Sequence, residues 1–162
     1  MSRNHCYTVG VLVTRDISVR PYQPEDDEFI ARVAREAFLE FTPRAVQHTL
    51  DMARHFRTLL ALQGEVRVGF ITFSGRSGDV YVVQAIAVSK GQRGRGIGHR
   101  LMLAFETLAR AEGALRFELC TADCNLAALD LFLKRGFRIS RRRERFYERG
   151  QAACILVKDA SG

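Results

Sequence analysis

A glycine-rich turn, Arg93-Gly94-Arg95-Gly96-Ile97-Gly98, is the feature that most constrains how this chain of 162 residues can fold. Before it lies an apolar run, residues 81–88, that is interrupted only by Gln84. After it, apolar residues recur at helical spacing as far as Glu112, and Gly113 is suited to end a helix. A continuous apolar run is typical of a strand that is covered on both faces. The sequence therefore predicts a buried strand, a glycine turn and an amphipathic helix in direct succession.

The turn has the backbone and the charge that a pyrophosphate group needs. Glycines at positions 94, 96 and 98 allow a tight bend that directs successive N–H groups toward one point. The first turn of the following helix adds unpaired N–H donors and the positive end of its dipole. Arg93, Arg95 and Lys90 add mobile positive charge around the turn. These residues predict a site for the phosphates of a nucleotide cofactor.

Other interpretations of the turn fit less well. In a dinucleotide-binding fingerprint, with Glu118 as the ribose ligand, the third glycine would fall at His99. Five residues also separate the strand from the first glycine, where that fingerprint has a tight turn. A P-loop requires Gly-Lys-Ser/Thr, which does not follow here. The remaining alternative is a glycine-rich loop that binds no ligand, since many loops are rich in glycine.

The rest of the chain predicts an α/β (α+β) single domain in the order β-α-α-β-β-β-α-β-α-β-β. Hairpins mixed with crossover helices indicate a mixed sheet with helices on its faces. We expect residues 1–15 to be a leader or an extra strand, residues 16–158 to be the domain and residues 159–162 to be a tail. Residues 74–79, which contain two glycines, are predicted as a turn. The predicted strands are 17–20, 58–62, 66–73, 81–88, 115–121, 137–140 and 153–158, and the helices are about 24–38, 43–55, 97–112 and 125–135.

Composition narrows the class of protein. A net charge of +7 and a pI of about 9.7 suit a polyanionic ligand, and we expect a nucleotide with several phosphates rather than a nucleic acid. No apolar run reaches the roughly 20 residues of a membrane span, so a cytoplasmic protein without membrane contact is expected. Cys120 and Cys124 lack the spacing of a zinc pair, so no metal is predicted.

Two motifs resemble the GNAT superfamily of acyl-CoA N-acyltransferases. The family signature, Arg/Gln-x-x-Gly-x-Gly/Ala after a strand ending in apolar-Ala-Val, is matched by Ile86-Ala87-Val88-Ser89-Lys90-Gly91-Gln92-Arg93-Gly94-Arg95-Gly96-Ile97-Gly98. A second element, Asn-x-x-Ala followed by Gly-Phe, is matched by Asn125-Leu126-Ala127-Ala128 and Gly136-Phe137. The resemblance covers residues 16–158. It implies a single-domain GNAT fold with a mixed, mostly antiparallel central sheet flanked by helices.

The resemblance also implies acetyl-CoA as cosubstrate and no metal. The backbone amides of residues 93–98 would hold the pyrophosphate, and the strand edge at 86–88 would pair with the pantetheine arm. Asn125 would lie near that arm, or serve only as a helix cap; Phe132 would lie near the nucleotide, as would Arg135, or belong only to the core. The implied cofactor-binding residues are Ile86, Ala87, Val88, Arg93, Gly94, Arg95, Gly96, Ile97, Gly98, Asn125, Phe132 and Arg135.

The sequence departs from the family pattern at both catalytic positions. Many members carry a tyrosine seven residues after the motif asparagine as the acid, and here that residue is Phe132. Some members carry a glutamate on the central strand as the base, but residues 81–84 contain no carboxylate. Glu118, with a raised pKa, is a candidate base, although Cys120 occupies the ungapped position of the glutamate in N-terminal alanine acetyltransferases. The alternative for Glu118 is a salt bridge to Arg116 or to a loop arginine.

The arginine-rich segment 142–153 is similar to a segment of those N-terminal acetyltransferases in which a tyrosine grips the acceptor peptide. Tyr147 is therefore a candidate for acceptor binding or for the missing acid, with a surface tyrosine on a hairpin as the alternative. Together these features predict an N-acetyltransferase that moves an acetyl group from acetyl-CoA to a primary amine. A protein N-terminus is preferred over a small molecule, and a non-catalytic acyl-CoA-binding or RNA-associated module is the alternative. The acceptor itself, the acid, the base and the choice between monomer and homodimer stay open.

Overall fold

The computed structural model describes residues 16–161, which form seven strands and four α-helices in the predicted order. The strands are β1 (Ile17–Pro21), β2 (Arg57–Gln63), β3 (Val66–Arg76), β4 (Val80–Val88), β5 (Arg116–Ala122), β6 (Arg138–Arg143) and β7 (Ala153–Asp159). The α-helices are α1 (Asp27–Phe38), α2 (Ala45–His55), α3 (Ile97–Ala111) and α4 (Leu126–Lys134). Short 3₁₀ turns, Pro24–Asp26 and Lys90–Gln92, precede α1 and follow β4. The expected leader, residues 1–15, lies outside the described residues, as does residue 162.

All seven strands join one sheet in the order β1-β2-β3-β4-β5-β7-β6. The pair β4–β5 is parallel, and the other neighbouring pairs are antiparallel. The parallel pair arises because α3 returns the chain to the same end of the sheet before β5 begins. The predicted α/β (α+β) class, with a mixed and mostly antiparallel sheet, is confirmed.

Helices cover both faces of the sheet because successive residues of a strand point to opposite faces. On β2, Leu60 packs in a core with Ile30 and other side chains of α1. Its neighbour Leu59 packs in a second core with Phe105 and other side chains of α3. The sheet is therefore the middle layer between α1–α2 and α3–α4.

Two strand boundaries differ from the prediction by three residues, and the other strand boundaries differ by at most one. Strand β3 does not end before Ser74 but continues to Arg76, which pairs with Val80 of β4. The two glycines that suggested a turn, Gly75 and Gly78, therefore lie inside the end of β3 and in the connection that follows it, and Gln84 donates a hydrogen bond to the Ser74 hydroxyl at 2.9 Å. Strand β6 runs to Arg143 instead of residue 140, because its pairing with β7 continues to Ala153.

A bulge in β4 opens the centre of the sheet. Thr72 of β3 pairs with Ala85 and Phe73 pairs with Val83, so Gln84 is an extra residue without a partner in β3. An extra residue exchanges the faces of the side chains beyond it and bends the strand. Accordingly, Val83 lies in the α3 core and Ala85 in the α1 core. Strands β4 and β5 pair only from residue 80 to 83 of β4, and the gap beyond this point is called the β4–β5 opening.

Candidate active site

The glycine turn connects β4 to α3 and has the geometry that the sequence predicted. Gly94 and Gly96 have φ angles of 76° and 77°, in the left-handed region that glycine adopts without steric cost. Gly96 directly precedes α3, so the unpaired N–H groups of the first helical turn lie beside it. A side chain at position 98 would place its Cβ 3.0 Å from Cδ2 of Leu131, so glycine there allows α3 and α4 to approach closely.

A cavity of about 410 Å³ begins at this turn and follows the open edge of β4. We call it the donor cavity because residues predicted to bind the cofactor line it. It lies between α1 on one side and α4 on the other. Its lining includes most of the predicted cofactor-binding residues, namely Ile86, Ala87, Val88, Arg93, Gly94, Gly96, Ile97, Gly98, Asn125 and Phe132. The fold thus brings the two sequence motifs, which are about 30 residues apart, to one groove.

Two predicted residues, Arg95 and Arg135, do not border the donor cavity. Arg95 is exposed and donates to the side chain of Gln92 at 3.2 Å. Arg135 donates to the buried carboxylate of Glu106 at 3.0 Å, and Lys158 donates to the other oxygen at 2.9 Å. Arg135 therefore neutralises the buried charge of Glu106 on α3 and does not border the cavity in which the resemblance implies the cofactor.

Helix α1 forms a side of the donor cavity that the sequence did not indicate. Glu36, Ala37 and Phe38 border it. The Glu36 carboxylate accepts hydrogen bonds from the backbone N–H of Lys90 at 3.2 Å and from Arg32 at 3.1 Å. These contacts join α1 to the segment after β4, and no local pattern could reveal a contact across more than 50 residues.

Asn125 is a helix cap and Phe132 is part of the core, and both also border the cavities. The Asn125 side chain caps α4 by accepting from the N–H of Ala128 at 3.3 Å. Phe132 is 3% exposed and packs against Phe137, with the ring centroids 6.1 Å apart. Each also borders the donor cavity and a second cavity of about 340 Å³, which we call the acceptor cavity because Tyr147, the candidate for acceptor binding, lines it. A capping or core role is therefore compatible with contact to a cofactor.

The acceptor cavity lies between α2, the β4–β5 opening and the loop that joins β6 to β7. Its lining is largely apolar and aromatic, with Phe38, Phe41, Met52, Leu119 and Phe146 among its residues. Of the described residues that line it, three carry an ionisable side chain, His48, Cys120 and Tyr147, and none is Asp or Glu. The two cavities meet at Phe38, Ile86, Asn125, Ala128 and Phe132.

Tyr147 is half-buried in this cavity rather than displayed on the surface. Its ring packs against Phe41 and Phe146, at centroid distances of 5.6 and 5.1 Å. Its hydroxyl lies 3.9 Å from the Cys120 sulfur. Burial and the neighbouring thiol raise the pKa of Tyr147 well above its ordinary value, so the phenol stays protonated.

The β6–β7 loop is tied to the connection between α1 and α2 across the acceptor cavity. The Arg149 side chain donates to the carbonyl of Leu39 at 3.0 Å, and the Gln151 amide donates to the carbonyl of Glu40 at 2.9 Å. An ion pair between Arg44 and Glu148, at 2.5 Å, joins the same two segments. These bonds fix the outer wall of the cavity.

Glu118 does not border either cavity. Its carboxylate is held between Arg76, at 2.5 Å, and Arg116, whose Nε lies 3.0 Å away. Partial burial acts to raise the pKa of Glu118, but the two arginines outweigh this and lower it below its ordinary value. The predicted raised pKa is therefore wrong. The salt bridge to Arg116 is observed instead, together with a second one to Arg76, the last residue of β3.

Two further features concern metals and membranes. Within residues 16–161, no group of three or more His, Cys, Asp or Glu side chains is arranged to hold a metal ion. No helix in this part of the chain has the length and apolar character needed to cross a membrane.

Residues 19–137 match the model of the Acetyltransferase (GNAT) family, so this chain belongs to that family. Ard1 from Thermoplasma volcanium has a similar structure, with a TM-score of 0.78 and 24% identity over 88% of this chain and 97% of that chain. The ribosomal-protein-S18-alanine N-acetyltransferase from Escherichia coli gives a TM-score of 0.78 and 17% identity over 90% and 94% of the two chains.

The structure of Arabidopsis thaliana NAA60, solved in complex with acetyl-CoA, gives a TM-score of 0.76 and 17% identity over 91% of this chain and 100% of that chain. At these identities the likeness to each solved structure shows a shared fold. No curated protein sequence matches this chain.

Proposed function

We propose that this protein is an N-acetyltransferase that moves an acetyl group from acetyl-CoA to a primary amine, with a protein N-terminus as the preferred acceptor. The observation that carries the proposal is the meeting of the two cavities at the β4–β5 opening. One cavity starts at an anion-binding turn and the other is open to an acceptor, so a donor and an acceptor can approach the same point from opposite sides. Holding two reactants in this way removes much of the entropic barrier to their reaction.

On the donor side, the N–H groups of the glycine turn and of the start of α3 are placed to hold the pyrophosphate. The edge of β4 at residues 86–88 has no partner in β5, so its backbone groups are free to pair with the amides of the pantetheine arm. This path leads the thioester from the turn to the meeting point of the cavities. A backbone N–H near Val88 is the donor that would stabilise the tetrahedral oxyanion.

On the acceptor side, the lining favours an amine attached to an apolar group. A polycationic acceptor would find no carboxylate among the described lining residues to compensate its extra charges. An N-terminal amine, with an ordinary pKa of about 7.7–8.0, is already partly neutral at pH 7, whereas a lysine amine at about 10.4 is not. Tyr147 keeps its proton and can donate a hydrogen bond to the acceptor or to the departing thiolate.

The test is the release of free CoA thiol from acetyl-CoA by the purified protein. The acceptors are peptides with free apolar N-termini, the same peptides with blocked N-termini, a polyamine and a small aromatic amine. We expect thiol release with the free peptides only, and a mass increase of one acetyl group at their N-terminus. Turnover with the small amine alone would show that the acceptor is a small molecule and not a protein N-terminus, and the proposed acetyltransferase activity would stand. Acetyl-CoA binding without turnover on any acceptor would favour a non-catalytic acyl-CoA-binding module.

A further inference from the structure

The acceptor amine must lose a proton before it can attack the thioester, and Glu118, the candidate base, does not border the acceptor cavity. At neutral pH most of an amine population is protonated, so a group near the amine has to accept that proton. Glu118 lies outside the acceptor cavity and is held by two arginines. Among the described lining residues, the remaining ionisable groups are His48, Cys120 and Tyr147.

Neither Cys120 nor Tyr147 is suited to accept a proton. Protein packed around the thiol raises the pKa of Cys120, although part of the residue is exposed to the open cavity. Burial raises the pKa of Tyr147 above its ordinary value as well. Both groups therefore carry their protons at neutral pH and can act only as donors.

His48 lies on the face of α2 that borders the acceptor cavity. Ala45, Thr49 and Met52, at positions i−3, i+1 and i+4 relative to it, line the same cavity, and this spacing defines one side of a helix. Ala45 and Thr49 are buried whereas His48 is exposed. The imidazole can therefore contact an acceptor inside the cavity and pass a proton to bulk water.

The charged groups near His48 on α2 and on the β6–β7 loop have other partners. Arg44, one turn earlier on the chain, pairs with Glu148 of the β6–β7 loop, and Asp51 accepts from Gln47 at 2.7 Å. The elements facing His48 across the cavity contribute the neutral groups Cys120, from β5, and Tyr147, from the β6–β7 loop. Among the described ionisable residues of this lining, only His48 offers a basic ring nitrogen that can accept a proton.

We propose that His48 is the general base of the acetyl transfer, a role that rests on the proposed function. An imidazole nitrogen takes a proton from the acceptor ammonium, and the neutral amine attacks the thioester carbonyl. A C–N bond forms and the C–S bond breaks, so CoA leaves as a thiolate. The thiolate gains a proton from Tyr147 or from water, the surplus proton of the new amide nitrogen restores that donor, and the imidazolium returns its proton to solvent. The overall reaction converts one ammonium group and one thioester into one amide, one thiol and one proton.

The test compares wild-type protein with His48→Gln over pH 6 to 9, using a peptide with a free N-terminus that the wild type acetylates. We expect kcat/KM of His48→Gln to fall about 100-fold at pH 7, in the range of a lost general base. Above pH 8 the deficit should shrink, because the amine is then neutral without a base. Added imidazole should restore part of the rate, and the Kd for acetyl-CoA should not change. His55→Gln, on the same helix but outside both cavities, is the matched control.

The possible failures are distinguishable. A deficit that is the same at every pH and is not relieved by imidazole would assign His48 a structural role and overturn the proposal. A His48→Gln variant with wild-type kcat/KM would overturn it as well, and in both cases the acetyltransferase function would stand. If the wild-type protein acetylates no acceptor at all, the proposed function is rejected and the role of His48 with it. Circular dichroism and the Kd for acetyl-CoA establish that each variant is folded.

Discussion

At the scale of single residues, the glycine turn depends on two backbone angles that other residues adopt at a cost. Replacing Gly96, at φ 77°, by alanine should lower the affinity of the protein for acetyl-CoA, because a left-handed conformation costs an L-residue roughly 1–2 kcal/mol. We expect Gly96→Ala to raise the Kd for acetyl-CoA about tenfold in isothermal titration calorimetry. Gly91→Ala is the control, since its φ is not in the positive region and its new Cβ would meet nothing within 4 Å. Equal affinities of the two variants would contradict this account of the turn.

Glu118 is the residue whose predicted role the structure changed most. Because its carboxylate is neutralised by Arg76 and Arg116 outside both cavities, we expect Glu118→Gln to keep wild-type kcat/KM from pH 6 to 9. The ion pairs are partly exposed on the arginine side, so the free energy of unfolding should change by about 1 kcal/mol or less. Steady-state kinetics and urea denaturation measure the two effects. If the pH profile of kcat/KM for Glu118→Gln lacked the ionisation of a base that the wild-type profile shows, Glu118 would return to the mechanism.

At the scale of elements, the acceptor cavity depends on the bonds between the β6–β7 loop and the α1–α2 connection. Arg149→Ala removes the side-chain bond to Leu39 but leaves the backbone bond from residue 149 to Phe41. We therefore expect the KM for the acceptor to rise several-fold while the Kd for acetyl-CoA stays the same.

Arg141→Ala, an equal change of charge on the exposed strand β6, separates this effect from a loss of positive charge. If both variants raise the acceptor KM to the same extent, charge and not the position of the loop would explain the change.

The elements also show where prediction from local pattern ends. The periodicities gave the right order of strands and helices, because each element needs an apolar face of its own period. The bulge in β4 was not predicted, although Gln84 was visible as the polar residue that interrupts the apolar run. One polar residue cannot indicate a bulge, since the same residue in register would simply face the less buried side. Only the pairing with β3 decides between these outcomes.

At the scale of the whole molecule, Asp26 links parts of the chain that are far apart in sequence. It is buried just before α1 and accepts hydrogen bonds from Arg20 of β1 and Arg67 of β3. Burial acts to raise the pKa of Asp26, but the bonds from Arg20, Arg67 and the backbone of Gln23 outweigh it and hold the pKa at about 2.

Because the pKa of Asp26 is lower in the folded than in the unfolded state, its contribution to stability is present above about pH 4 and is lost as the pH falls toward 2. The difference in unfolding free energy between wild type and Asp26→Asn should therefore shrink by about 2 kcal/mol over this range. Denaturant titrations at several pH values measure it. Asp51→Asn, at an exposed site, is the control and should show a small, constant difference. A pH-independent difference for Asp26→Asn would contradict the low pKa.

The sequence by itself determined the order of the elements, the class of the sheet and the glycine turn, because periodicity and turn chemistry act over a few residues. It also made Tyr147 a candidate site residue, but it did not predict the cavity that this residue lines. Tertiary structure alone decided that Arg135 pairs with Glu106, that Glu118 is held by arginines and that His48 faces the acceptor cavity. Each of these depends on contacts between segments far apart in the chain, and such contacts follow from the packing of whole elements on the sheet rather than from any local pattern.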